Sequence, residues 1–409
     1  MRILGISEGF HDASVALIED GEILFAAHAE RYSKIKNDPV LNIPILQDAY
    51  KYGKPDKIAY YEHPTLKKIR LLKHGGLEFP RMFKKNGIKN IGHHESHAAA
   101  GYYTSNFDNA VVVVLDAIGE FDTSTIWVGE ENKLKNVYSK KYPLSFGLFY
   151  SAFTDLIGLK SNEEEYIFMG MAGYGHYKKY FDKVNSYFPS IHEQKYNFHL
   201  GISDWPYKFL NEQDKFDVAA AVQQVYEERL MEFMRYAKLL TRKKNLVFMG
   251  GCALNSKANT LLWNIFDKVW IMPNPGDAGS SLGAAAALYG KHINWDNPYL
   301  GHDLGGDYPV NEIMTELIKN KIVPVYLNND NYIDFVIFDN GDEGIDPNLQ
   351  PNEPIRIVLS DGKGKYDLKE IATNEIEVAQ NSNHKGGGDV GDLNGDGIPD
   401  LLICGGHMH

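Results

Sequence analysis

Cysteine is nearly missing from this chain. Two occur in 409 residues, Cys252 and Cys404, far apart. Two distant thiols supply neither a disulfide framework nor a zinc knuckle, and they fit a reducing compartment. No apolar run approaches the roughly 20 residues of a membrane span. The opening "MRILGISEGFHDAS" turns polar too early for the apolar core of a secretion signal. The expectation is therefore a cytoplasmic protein with no membrane partner. Basic charge is also short: 42 Lys+Arg face 54 Asp+Glu, a formal charge of -12. That balance argues against a broad nucleic-acid face.

What is present reads as an α/β protein built twice. "RILGIS", "ASVALIED" and "EILFAAHAER" form a β-meander with a hairpin turn at Asp20-Gly21. "AVVVVLD", "TSTIWVGE" and "LKNVYSKKY" form a second. Each first strand runs into a polar turn, "GISEGFHDAS" and then "DAIGEFDTST". Helical spacing follows in "FGLFYSAFTDLIGL" and "DVAAAVQQVYEERLMEFMRYAKLL". "NLVFMGGCALN" and "VWIMPNPGDAGSSLGAAAALYG" each read as strand, turn, helix. "SNEEEYIFMGMAGYG" reads as an acidic surface loop entering a Gly-rich turn, and an aromatic insertion around 186–210 is the natural place for acceptor contact.

Chemistry concentrates at a few points. In "HHESH", His93 and His97 are four apart and share one helix face, a spacing that suits two imidazoles on one metal. A polar helix start explains the same residues, and a third ligand is required. Asp277, at a strand-helix turn, is either that ligand or a helix N-cap. Gly250 and Gly251 permit close approach to backbone. The two polar turns would cradle phosphates, with Asp12 and Asp116 near the phosphates or their metal and His11 toward a transferred group. Ordinary hairpin chemistry accounts for them equally.

Beyond about Ile322 the composition shifts to Asp, Asn and Gly. "DLNGDGIPD" places Asp392, Asn394, Asp396, Ile398 (through its carbonyl) and Asp400 at alternating positions of a β-type calcium loop. A degraded copy starts 66 residues earlier, at Tyr326. This predicts a small β-rich segment, 323–409, resembling a partial propeller blade of VCBS/FG-GAP calcium-binding repeats and carrying Ca2+.

Taken in order, "ILGISEGFHDASVALIEDGEI", "HHESHAAAGYY", "DAIGEFDTST", "SFGLFYSAFTDLIGLKSNEEEYIFMGMAGYG", "GGCALN" and "NPGDAGSSLGAA" resemble the O-carbamoyltransferase family of nodulation-factor and antibiotic biosynthesis over residues 1–322. The resemblance implies a duplicated actin-like ATPase/sugar-kinase (RNase H-like) fold of two lobes. It implies transfer of a carbamoyl group from carbamoyl-adenylate, made from carbamoyl phosphate and ATP, to a small-molecule or sugar hydroxyl. It implies a divalent metal, iron by the resemblance, on His93, His97 and Asp277. His11, Asp12 and Lys36 would line the transfer site. Asp116, Gly119 and Thr125 would face phosphate, and Gly250, Gly251 and Asn255 the adenosine, with Gly279 in the same cofactor set.

Two departures shape the expectation. Ile167 stands where the family tends to carry Lys. The family's Glu-Phe-Gly-Pro-Arg-Ala-Leu-Gly stretch is absent, so a truncated transferase joined near 323 is expected, with adenylate made by a separate protein. A non-enzymatic calcium-binding interaction protein is the rival reading. An ATPase or sugar kinase is a third, disfavoured by the paired histidines.

Overall fold

In the computed structural model each β-meander is the antiparallel half of a five-stranded mixed sheet. The structure describes residues 1–300 apart from Phe10, 67–86 and Tyr196, together with the backbone of six strands between 322 and 403. The chain divides into two compact units, Met1–His302 and Asp303–His409.

In the first unit, β1 (Arg2–Ser7), β2 (Ser14–Glu19), β3 (Glu22–His28), β4 (Lys57–Tyr60) and β5 (Ile88–Asn90) lie in the order β3-β2-β1-β4-β5. The second sheet holds β6 (Asn109–Gly119), β7 (Asp122–Glu130), β8 (Lys133–Lys141), β9 (Asn245–Met249) and β10 (Lys268–Trp270) in the order β10-β9-β6-β7-β8. The polarity also repeats. β1 and β6 each pair antiparallel with the strand that follows and parallel with β4 or β9. Two sheets of one order and one polarity are the duplication that the two meanders predict.

The described helices are α1 (Glu30–Ser33), α2 (Ile43–Lys51), α3 (His93–Thr104), α4 (Phe146–Leu156), α5 (Glu165–Met171), α6 (Phe181–Tyr187), α7 (Glu212–Thr241), α8 (Ser256–Asn259) and α9 (Ser280–Tyr289). The run "AVVVVLD" is apolar throughout because its sheet is covered on both faces. Val111, Val113 and Leu115 enter a core with α4 and α7, while Val112 and Val114 enter one shared with α3, α9 and the first sheet. Strand alternation sends neighbours to opposite faces, so both must be apolar.

α3 and α9 pack directly against each other between the two sheets. Their small residues permit backbone approach. A Cβ on Gly283 would fall 1.8 Å from the Ser96 carbonyl oxygen, and one on Gly5 would fall 1.8 Å from that of Ser281. The acidic loop the sequence suggests holds over 161–164, which form a turn, and a helix follows it. Glu165 opens α5, and its carboxylate accepts from the Ser151 hydroxyl and the Asn162 backbone N–H.

In the second unit, β11 (Ile322–Val325), β12 (Asp334–Ile337), β13 (Ile355–Ser360) and β14 (Tyr366–Ile371) form an antiparallel meander, and β15 (Gly388–Gly391) pairs with β16 (Asp400–Ile403). The expected calcium positions Asp392, Asn394, Asp396 and Ile398 lie outside the described residues, and Asp400 is described only as the first backbone position of β16.

Candidate metal centre

The helix α3 starts at His93, and its first turn is fixed by Glu95, whose carboxylate accepts from the Gly92 N–H. Glu95 is therefore a capping group. The i, i+4 spacing then puts His93 and His97 on one face, both buried, with their Nε2 atoms 3.1 Å apart.

Two carboxylates meet them from other elements. Asp277 lies in a 3-10 turn just before α9, and the tight α3–α9 packing brings its Oδ1 3.2 Å from His97 Nε2 and 3.4 Å from His93 Nε2. Capping does not occupy Asp277, because Gly279 is the N-cap of α9. Asp116 stands where the β6–β7 ladder loses register between Leu115 and Gly119. Its Oδ2 is 3.0 Å from His93 Nε2 and 3.7 Å from His97 Nε2. Asp116, which the sequence places near a phosphate or its metal, is thus a fourth group on the histidines. The signal for it was an acid ending a fully apolar buried strand.

These four donor atoms lie within 4.8 Å of one another. Donors about 2.1 Å from a tetrahedral ion sit about 3.4 Å apart, and the five separations that involve a histidine, 3.0–3.7 Å, are close to that spacing. Two imidazoles and two carboxylates suit a first-row divalent cation. The residues fit a metal.

His11 borders the cluster, its Nε2 3.7 Å from Asp277 Oδ2 and its Nδ1 2.8 Å from Asp12 Oδ2. Asp12 takes a left-handed φ of 54° and is tied back by its N–H to the Asn37 carbonyl. Lys36 is exposed, with its ammonium 5.7 Å from the Tyr166 ring centroid. Thr125 is fully buried and bonded to His94 and Trp127. Gly119 lies under the His93 and His94 rings. Gly250, at φ 89°, approaches the Leu115 carbonyl and donates its N–H to Pro275, while Gly251 backs onto Asp116 Oδ1. Asn255 caps α8 and pairs its amide with that of Gln223. Gly279 packs on the Asn274 carbonyl.

A family model described as carbamoyltransferase N-terminus matches residues 57–286. The chain belongs to that family. The matched span holds all four donors, and His11 and Asp12 precede it. An uncharacterized protein of Synechocystis sp. is 29% identical over 394 residues, covering 80% of this chain and 64% of the relative. Nodulation protein NolNO of Sinorhizobium fredii is 26% identical, covering 74% and 50%. An uncharacterized protein of Methanocaldococcus jannaschii is 28% identical, covering 82% and 65%. The chain spans about half to two thirds of the length of these curated relatives. A solved structure of the activator of 2-hydroxyisocaproyl-CoA dehydratase from Clostridium difficile, with bound ADPNP, aligns at 13% identity and a TM-score of 0.42, over 71% of this chain and 94% of that one. Among the described residues of this carbamoyltransferase-family chain, no helix is long and apolar enough to cross a membrane.

Without a cation, the carbamoyltransferase-family cluster holds protons. Burial opposes charge on His93, but Asp277 and Asp116 outweigh it and raise the imidazole to about 10. His97 is raised in the same way, against burial, by Asp116 and Asp277. Burial pushes both carboxyls up, but the histidines hold them well below the usual carboxylate range. The two Nε2 atoms, 3.1 Å apart, face Asp116 and Asp277, so a proton held there occupies the position of a metal. A metal must displace it. Apparent metal affinity is therefore expected to rise as pH climbs from about 7 toward about 10. Stability of the metal-free protein should move oppositely: the raised histidine contributes fully below its unfolded value of about 6.5 and is lost as pH rises through about 10. Titrations of Zn2+ affinity and of metal-free Tm against pH check both signs.

Proposed function

We propose that the first unit is a metal-assisted carbamoyl-transfer centre, taking carbamoyl-adenylate as donor and a small-molecule or sugar hydroxyl as acceptor. The observation that carries it is the convergence of His93, His97, Asp116 and Asp277 within the span matched by a carbamoyltransferase model. These residues would hold a divalent cation, ferrous iron by the family resemblance. When bound, such a cation supplies Lewis-acid polarisation of the carbamoyl or phosphoryl oxygen.

His11 moves the proton. Burial opposes its charge, but Asp12, Asp277 and Asp116 together raise it to about 9. With Asp277 and Asp116 committed to a cation, two of those three influences are weakened, and Nε2 can accept a proton that is more readily given up again. Asp12 keeps Nδ1–H in place, orienting the ring as a base. The acceptor hydroxyl oxygen bonds to the carbamoyl carbon while its proton passes to His11 Nε2. The bond from that carbon to the adenylate oxygen breaks, and AMP departs with the electron pair. The Gly250–Gly251 turn, backed onto Asp116, is the proposed nucleotide side. A separate adenylate-forming protein or domain would supply the donor.

The test is AMP release from preformed carbamoyl-adenylate by Fe2+-loaded protein, with a panel of sugar and small alcohol acceptors. We expect metal-dependent release with matching carbamate ester, lost with chelator and reduced about 10^2-fold in His11→Ala. Equal decay with and without metal-replete protein, across the panel, would overturn the reading.

A further inference from the structure

The motif has a third histidine, His94, which turns away from the cluster and is 3% exposed. Its surroundings answer a question that the metal centre leaves open. A metal-binding imidazole normally has its other nitrogen hydrogen-bonded, which fixes the ring. His97 has this through its Nδ1, 3.3 Å from Ser280 Oγ. His93 does not: its Nδ1 is buried with no hydrogen-bond partner among the described residues. Its ring is held by packing instead. Tyr61 lies at 5.3 Å and His94 at 5.9 Å between ring centroids, and Gly119 closes the third side, where a Cβ would fall 2.2 Å from His93 Cδ2 and 2.7 Å from His94 Cδ2.

His94 is itself locked by a directional relay. Trp127 Nε1–H donates to Thr125 Oγ1 at 2.9 Å, and indole nitrogen is a donor only. Thr125 Oγ1 is 2.9 Å from His94 Nδ1. If the hydroxyl donates to Nδ1, the only unpartnered group is the Nε2–H of His94. If Nδ1–H donated to the hydroxyl instead, both the Thr125 O–H and Nε2 would be left without partners. Each buried orphan costs roughly 1–3 kcal/mol, so the first arrangement wins.

We propose that His94 is a positioning residue: held as the Nε2–H tautomer by Trp127 and Thr125, it braces the His93 ring in place of the missing hydrogen bond and so sets the metal affinity of the centre. This rests on the metal reading above. It also assigns Thr125 a role other than phosphate contact.

The test uses the full chain with Co2+ as probe. In the metal-free protein, 15N-histidine spectra should show His94 with Nδ1 unprotonated and Nε2 protonated. Thr125→Val keeps the shape and removes the hydroxyl. It should erase that tautomer preference and weaken Co2+ binding about tenfold, the lower end for outer partners of a metal ligand. Thr125→Ser should restore both. A merely structural threonine would instead lower Tm in Thr125→Val while leaving Co2+ affinity unchanged, and that result overturns the proposal. So does an Nδ1–H tautomer in the wild type. Should Thr125→Val fail to fold, Trp127→Phe removes the other donor of the relay and is read in the same way. Absence of Co2+ binding by the wild type would sink the metal reading, and the tautomer of His94 would still decide the relay.

Discussion

Gly283→Ala is expected to destabilise the first unit by about 3 kcal/mol, lowering Tm by roughly 6 to 10 °C. The added Cβ would sit 1.8 Å from the Ser96 carbonyl oxygen and 3.0 Å from Ala100 Cβ. Both obstacles are parts of α3 rather than the tip of a flexible side chain, so the helices must separate. The consequence reaches the metal centre. His97 lies one residue from Ser96 on α3, and Asp277 sits in the turn leading into α9, six residues before Gly283. Moving the helices apart stretches the 3.2 Å contact between His97 and Asp277. Metal affinity should therefore fall with Tm in this variant. Gly170→Ala on α5 is the control. Nothing lies within 4 Å of its new Cβ, so Tm should hold or rise by the usual gain from a better helix former. Thermal denaturation of both variants, with and without Zn2+, checks the pair of outcomes. A Gly283→Ala protein with native Tm would contradict the tight-packing account.

The second large effect is at the cluster itself. Replacing both histidines by alanine removes two of four donors, the two neutral nitrogens that discriminate this site from an all-oxygen one. It also leaves Asp116 and Asp277 without the imidazoles that hold their carboxyls low. Burial would then raise both, and one is expected to take up a proton. Neither remaining carboxylate can hold a transition-metal ion tightly alone, so metal should be lost rather than merely weakened.

Much of this was legible in the sequence, for identifiable reasons. The spacing of His93 and His97 is local, and α-helical geometry converts it directly into a shared face. The two meanders announce themselves through Asp20-Gly21 and through alternating apolar strands. β4 and β5 were not legible. They have four and three residues, and three of those seven are exposed. Their place in the sheet comes from parallel pairing across long connections, which no local pattern encodes. Asp116 was legible as a polar end to a buried strand, but not its partner, because the break in ladder register that aims it at His93 is a property of two strands together. Asp277 was ambiguous for the same reason. A turn residue before a helix caps it unless something stronger claims the carboxylate, and the claimant lies 180 residues away. The helix α5 was hidden by charge: Glu163, Glu164 and Glu165 read as a solvated run, whereas Glu165 is bonded to Ser151 and Asn162.

Metal stoichiometry is the most direct test of the centre. The full chain, purified without chelator and in parallel with the His93→Ala/His97→Ala double variant, is analysed for bound transition metal by mass spectrometry, with circular dichroism confirming that both are folded. The account predicts about one divalent ion per wild-type chain and essentially none in the variant. Equal metal content in two folded proteins would contradict it.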